Sequence, residues 1–312
     1  MIYYILLNDD IRYYYDNIKD LAKIKNKSLV VKLEFVACKL FKLELPYLSE
    51  FVNLEELCCN YNNFTKLPYL SCLSNLINLN LSDNQLSELP DLSNCINLID
   101  LDCSTNNLIE LPDLSNCINL IDLDCSNNNL LELPDLSNCI NLNSLCCQKN
   151  NLIKLPDLSN CINLTYLKCS VNKLTVLPDL TNLIYLDYLN ICSNYIFELP
   201  FLPINLKTLL CSYNINLNEI TNLSLNLETI YCTDNNLTKF PDLSKCSNLK
   251  NFVCYNNNFK EIHKGILQCN KLLYKKKYNK YKYIDKLSNV LNYSIEKYYY
   301  SVILKYYTRL YI

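Results

Sequence analysis

The string Leu-Pro-Asp-Leu-Ser-Asn-Cys-Ile-Asn-Leu begins at Leu89 and returns at Leu111, Leu133 and Leu155, each time after 22 residues. A fixed short period constrains folding more than any other feature here, because each unit must adopt one conformation and share its core with its neighbours. Extending the register gives ten units, starting at residues 45, 67, 89, 111, 133, 155, 177, 199, 220 and 240. The units at 199 and 220 are shorter by one and two residues, and the last ends at Glu261.

Within a unit the pattern is L-x-x-L-x-C-x-x-N-x-L-x-x-L-P-x-L-x-x-C-x-x. One copy reads Leu98, Leu101, Cys103, Asn106, Leu108, Leu111, Leu114 and Cys117. The step from Leu101 to Cys103 has period 2 and predicts a short strand; the later steps of three predict tight 3₁₀-like turns. A single unit cannot bury such a stripe alone, whereas a stack buries it continuously.

Composition then removes most enzyme chemistry. The one glycine, Gly265, excludes glycine-rich phosphate loops, and the one histidine, His263, leaves a single imidazole for any triad. A cysteine hydrolase would need His263 beside Cys254 or Cys269. Neither a cofactor nor a metal is expected, because no C-x-x-C or histidine accompanies the cysteines in the repeats.

The 19 cysteines follow the repeat instead. Cys59, Cys103, Cys125, Cys147, Cys169, Cys211, Cys232 and Cys254 take the second inward strand position. Cys95, Cys117, Cys139, Cys161 and Cys246 take an inward position on the return path. Both are slots for small buried hydrophobes, a role free cysteine fills. The run Ile2 to Leu7 is short and lacks a basic leader, so the expected setting is reducing and intracellular, a host cytoplasm if the chain is viral. Abundant Asn, Ile, Lys and Tyr with scarce Gly and Arg resembles the product of an AT-rich genome, such as a giant virus or a social amoeba.

The motif asparagine stands in all ten units, as Asn62, Asn84, Asn106, Asn128, Asn150, Asn172, Asn194, Asn214, Asn235 and Asn257. An amide carries a donor and an acceptor, so this ladder is expected to pair backbone groups that the turn would otherwise bury. The next position, often asparagine too (Asn107, Asn129, Asn151), is the expected left-handed residue of a nearly glycine-free turn. Nine of the ten prolines, from Pro46 to Pro241, stand at the second position of a unit.

This pattern resembles the leucine-rich repeat family. The 22-residue length is most similar to the subclass typified by regulators of type-1 protein phosphatase, while the shortened unit at Leu199 is similar to the short bacterial-effector type. The resemblance implies an α/β repeat solenoid, a horseshoe with a parallel concave sheet and short 3₁₀ or irregular convex turns. It also implies a non-enzymatic scaffold or adaptor that binds a protein partner.

Three domains are expected: an N-terminal cap over 1–44, ten repeats over 45–261 and a C-terminal cap over 262–312. The first cap reads as a helix over residues 9–25, from Ile11, Tyr14, Tyr15, Ile18 and Leu21 at helical spacing, followed by a degenerate unit through Val30, Leu33, Phe35, Cys38, Leu40 and Leu43. The second carries eleven basic residues against Asp285 and Glu296, a balance of +9, leaving −11 on the rest of a chain whose net charge is −2. Its apolar residues from Ile284 to Leu310 fall at helical spacing. Lys271, Lys275, Lys276, Lys277, Lys280 and Lys282, interleaved with tyrosines, belong either to a solvated cap or to a contact for nucleic acid, an anionic membrane or the acidic body of another copy.

Outward strand positions carry the expected partner site. Glu55 and Glu56, then Asp100, Asp102, Asp122 and Asp124, give an acidic half. Gln148, Lys149, Tyr166 and Lys168 lead to Tyr188, Tyr213, Tyr231 and Tyr255, a tyrosine-rich half. Tyrosine favours binding surfaces and the acids favour a basic partner, although near-duplicate units share such acids by descent as well.

Overall fold

A computed structural model describes residues 2–6, 12–15, 18–35 and 47–259 of the chain. The chain divides into two compact units, Met1–Cys269 and Asn270–Ile312. The expected C-terminal cap, its lysines, His263 and Cys269 lie outside the described residues, as do Pro46, Cys38, Leu40 and Leu43.

Thirteen strands form one sheet. They are β1 (Ile2–Leu6), β2 (Arg12–Tyr15), β3 (Val30–Phe35), β4 (Glu56–Cys58), β5 (Asn78–Asn80), β6 (Asp100–Asp102), β7 (Asp122–Asp124), β8 (Ser144–Cys146), β9 (Tyr166–Lys168), β10 (Tyr188–Asn190), β11 (Thr208–Leu210), β12 (Thr229–Tyr231) and β13 (Asn251–Val253). From β3 to β13 the strands are parallel neighbours in sequence order, in equivalent register, for example Asp100 against Asp122 and Leu101 against Leu123. The central residue of each strand from β4 to β12 is buried. Its two neighbours face the opposite side of the sheet, as the strand's period of two requires.

The return path bends every third residue. Cys117 N–H donates to Leu114 O at 2.9 Å and Leu120 N–H to Cys117 O at 3.1 Å, and every unit from 89 to 155 repeats the pair. These i to i−3 bonds keep Leu114, Cys117 and Leu120 on the inner side, where all three are fully buried. Asp113 caps the bend: its carboxylate accepts from the Ser115 backbone N–H and hydroxyl, both at 2.9 Å. The core is one continuous cluster from Leu21 to Leu249.

The ladder asparagine joins two successive coils. Asn128 Nδ2 lies 3.0 Å from Cys103 O, 3.1 Å from Cys125 O and 3.2 Å from Ser126 O, and its Oδ1 accepts from Leu108 N–H at 3.0 Å. Asn84, Asn106, Asn150, Asn172 and Asn194 repeat the same set.

Two expectations need correction. The left-handed residue is the one before the ladder asparagine, not the one after it. Tyr61, Asp83, Thr105, Asn127, Lys149, Val171, Ser193, Tyr213, Asp234 and Asn256 all have φ between 53° and 60°. That conformation lets each of several of these residues donate its N–H to the next coil, as Thr105 does to Ser126 O at 2.8 Å. The N-terminal cap is also not a helix over 9–25. Ile2–Leu6 and Arg12–Tyr15 are antiparallel strands, and β1 lies between β2 and β3. The tyrosine-rich runs have strand propensity, and the hairpin extends the sheet's own hydrogen bonding beyond β3. Among the described residues of that region, the 3₁₀ segment Ile18–Lys23 is the one helical element.

Replacing Asn128 with alanine leaves buried backbone groups unpaired and should lower stability by about 1–3 kcal/mol in denaturant titration. Val171→Asn should act in the opposite direction. A β-branched side chain at φ 56° is strained, and asparagine should recover roughly 1 kcal/mol in the same measurement.

Candidate functional site

The outward residues of the strands fall into two columns. The first runs Lys32, Glu56, Asn78, Asp100, Asp122, Ser144, Tyr166, Tyr188, Thr208, Thr229 and Asn251. The second runs Glu34, Cys58, Asn80, Asp102, Asp124, Cys146, Lys168, Asn190, Leu210, Tyr231 and Val253. Adjacent strands stand about 4.8 Å apart, so the four aspartates form one square of like charge.

Two members of that square, Asp100 and Asp124, gain proton affinity. Burial, then Asp122, Asp102 and Asp124, hold the Asp100 carboxyl above the usual carboxylate range. Burial raises Asp124 as well, against hydrogen bonds from Ser126 that pull it down. The acidic column extends to Glu34, raised by burial and by Glu56, while Glu56 itself pairs with Lys32 at 2.5 Å. Lys168 borders the square on its other side and lowers Asp124.

Beyond it, Tyr166 and Tyr188 stack with ring centroids 4.4 Å apart and planes 14° from parallel. Burial, with Tyr188 alongside, pushes the Tyr166 phenol up to about 12. Tyr231 stands in the second column, two strands past Tyr188. The other expected site residues are off the strands. Tyr213 is the left-handed turn residue of its coil, exposed beside Asp234, and Lys149 holds the same place in another coil. Tyr255 and Gln148 stand two residues past β13 and β8, and Gln148 Oε1 is buried without a hydrogen-bond partner. Glu55 precedes β4 and lines a groove on the flank instead.

The cysteine ladders offer no nucleophile. None of the described cysteines is joined in a disulfide. Burial pushes the thiols of Cys95, Cys139 and Cys169 up to about 12, and Cys103, Cys125 and Cys147 well above their ordinary value. Cys161 Sγ donates to Leu136 O at 3.6 Å and Cys139 Sγ to Leu114 O at 3.8 Å, contacts that use the protonated form. Among the described residues no group of three or more metal-binding side chains is assembled, and no helix is long and apolar enough to cross a membrane.

Sequence reasoning missed two exposed asparagine ladders. Asn97, Asn119, Asn141 and Asn163 donate to Ser74, Ile96, Ile118 and Ile140 carbonyls of the preceding coil, each at 3.0 Å. Asn94, Asn116, Asn138 and Asn160 do the same one turn earlier. Their signal was present as two further asparagines recurring at the 22-residue period.

Solved structures share this architecture. The functional domain of InlJ from Listeria monocytogenes, which includes a cysteine ladder, is 27% identical with a TM-score of 0.55, over 76% of this chain and 56% of that one. YopM from Yersinia enterocolitica WA-314 is 31% identical with a TM-score of 0.52, over 71% of this chain and 51% of that one. The chain folds as a leucine-rich repeat protein. It spans little more than half the length of either of these two relatives. YopM from Yersinia pestis, described as a leucine-rich effector protein, is 30% identical over 69% of this leucine-rich repeat chain and 70% of its own, with a TM-score of 0.49. No family profile and no curated protein matches by sequence.

Because Asp100 is held above its unfolded value, its ionised form weakens the fold. Asp100→Asn should therefore gain roughly 0.5–1 kcal/mol at neutral pH, the scale of a cross-strand charge pair. The gain should fade as pH falls through the raised folded value and vanish below the ordinary carboxylate range, read as melting curves across pH. A thiol reagent should label the half-buried Cys58, Cys72, Cys146, Cys192 and Cys254 first, and the buried cysteines only after denaturation.

Proposed function

We propose that the chain is a non-enzymatic protein-binding module that holds a basic partner across the two outward columns of its sheet. The observation that carries this reading is the juxtaposition, on one exposed face, of the aspartate square and the Tyr166–Tyr188 stack. Four carboxylates concentrated within two strands attract a cationic surface and accelerate its encounter, an effect that salt screens. The stacked tyrosines present a large, preorganised aromatic area with polar tips, the kind of surface that slows dissociation.

The cysteine and asparagine ladders serve this face indirectly, since both are spent inside the fold. A protein built this way has no need of a cofactor to bind.

The two halves of the face should separate kinetically once a partner has been captured with the parent chain. Tyr166→Ala with Tyr188→Ala should raise the dissociation rate at least tenfold. Asp102→Asn with Asp124→Asn should slow association at low salt and lose that effect at high salt. If both double variants bind as the parent does, the partner site is not on this face.

A further inference from the structure

In the first outward column one small residue separates an acidic pair from an aromatic pair. From β6 to β10 that column reads Asp100, Asp122, Ser144, Tyr166 and Tyr188. Asp100 and Asp122 are exposed, and Ser144, Tyr166 and Tyr188 are half-buried. The centres of the two pairs are three strand steps apart, about 14 Å.

Charge changes over the same distance. The second column carries Asp102 and Asp124 beside the aspartates, but Lys168 on the strand of Tyr166. A cation over the square faces four carboxylates. Moved to the tyrosines, the same cation faces the Lys168 ammonium, and like charges so placed repel. The complementary occupant is therefore basic at one end and uncharged at the other, and a uniformly basic stretch is disfavoured.

Spacing selects its conformation. An extended chain advances about 3.4 Å per residue, so four residues span about 14 Å, and an even separation keeps both side chains toward the sheet. An α-helix rises about 1.5 Å per residue and needs about ten residues, which its period leaves roughly 80° off a common face. A polyproline helix, at about 3.1 Å and three residues per turn, reaches that distance out of phase with its turn. We propose that this face takes an extended segment laid across the strands along the first column. Its lysine or arginine meets the aspartate square, and an aromatic or large apolar residue four positions away meets Tyr166 and Tyr188. Lys168 is the residue that excludes a second cation there. The inference rests on the reading of this face as a protein-binding site and names the kind of segment the site accepts.

Short dye-labelled threonine–serine peptides, each with one arginine and one phenylalanine, test this by fluorescence anisotropy on the full chain at low salt. A separation of four should bind about fivefold tighter than separations of three or five. At a separation of four, replacing the phenylalanine with a second arginine should weaken binding about as much, and Lys168→Gln should restore most of that loss. Asp100→Asn with Asp122→Asn should erase the advantage of arginine over glutamine in the peptide, and Tyr188→Ala that of phenylalanine over serine. Far-UV circular dichroism verifies that each variant is folded. Peptides that bind alike at all three separations, yet respond to the face variants, would overturn the extended register and leave the protein-binding reading standing. Peptides that bind folded face variants as they bind the parent would remove both. No binding by any peptide up to about 1 mM also overturns the extended segment, and the response of a captured partner to the face variants then decides the broader reading.

Discussion

The side-chain amide of one asparagine per coil is the interaction on which the rest of this structure depends. Asn128 touches carbonyls of its own coil and of the preceding one and receives the Leu108 N–H, so one residue fixes the relative position of successive turns. Buried backbone groups that lack partners are costly, and a chain that turns inward every 22 residues would bury several per coil. The amide supplies both a donor and an acceptor at that point, which no apolar residue can do. Leucine and cysteine then fill the space that the turn encloses.

Register is what converts this local bonding into surfaces. Because every coil is held in the same phase, outward residues of neighbouring strands become neighbours in space. Asp100 meets Asp122, and Tyr166 stacks on Tyr188, although 22 residues separate each pair. The same phase aligns the exposed asparagines of the flank. Acidic face, aromatic stack and asparagine ladders are three outcomes of one translational repeat, differing only in which position of the unit is read. The fold tolerates the variation because these positions bear little of the core.

Much of this was legible in the sequence because a period multiplies weak signals. One Leu-x-Cys step says little, but its recurrence identifies a strand, an inward face and a core role for cysteine together. The left-handed turn residue was not legible. Tyr61, Lys149 and Val171 all occupy it, so side-chain preference is overridden by the hydrogen bonds of the neighbouring coils. Tyr213 differs for the same reason: its spacing predicts an outward strand residue, yet it stands in that turn. The N-terminal hairpin escaped because Tyr14, Tyr15, Ile18 and Leu21 satisfy helical spacing while strand pairing with β3 is a non-local fact. The flank ladders were visible only as composition until the coils were stacked.

Amide hydrogen exchange tests the central role of the ladder asparagine at single-residue resolution. In the parent, the Leu108 N–H is bonded to Asn128 Oδ1, and the Leu130 N–H to Asn150 Oδ1 one coil later. In Asn128→Ala the Leu108 amide should lose its protection while Leu130 keeps most of its own. Unchanged protection at Leu108, with the variant as stable as the parent, would contradict the account and assign the register to the leucine core alone.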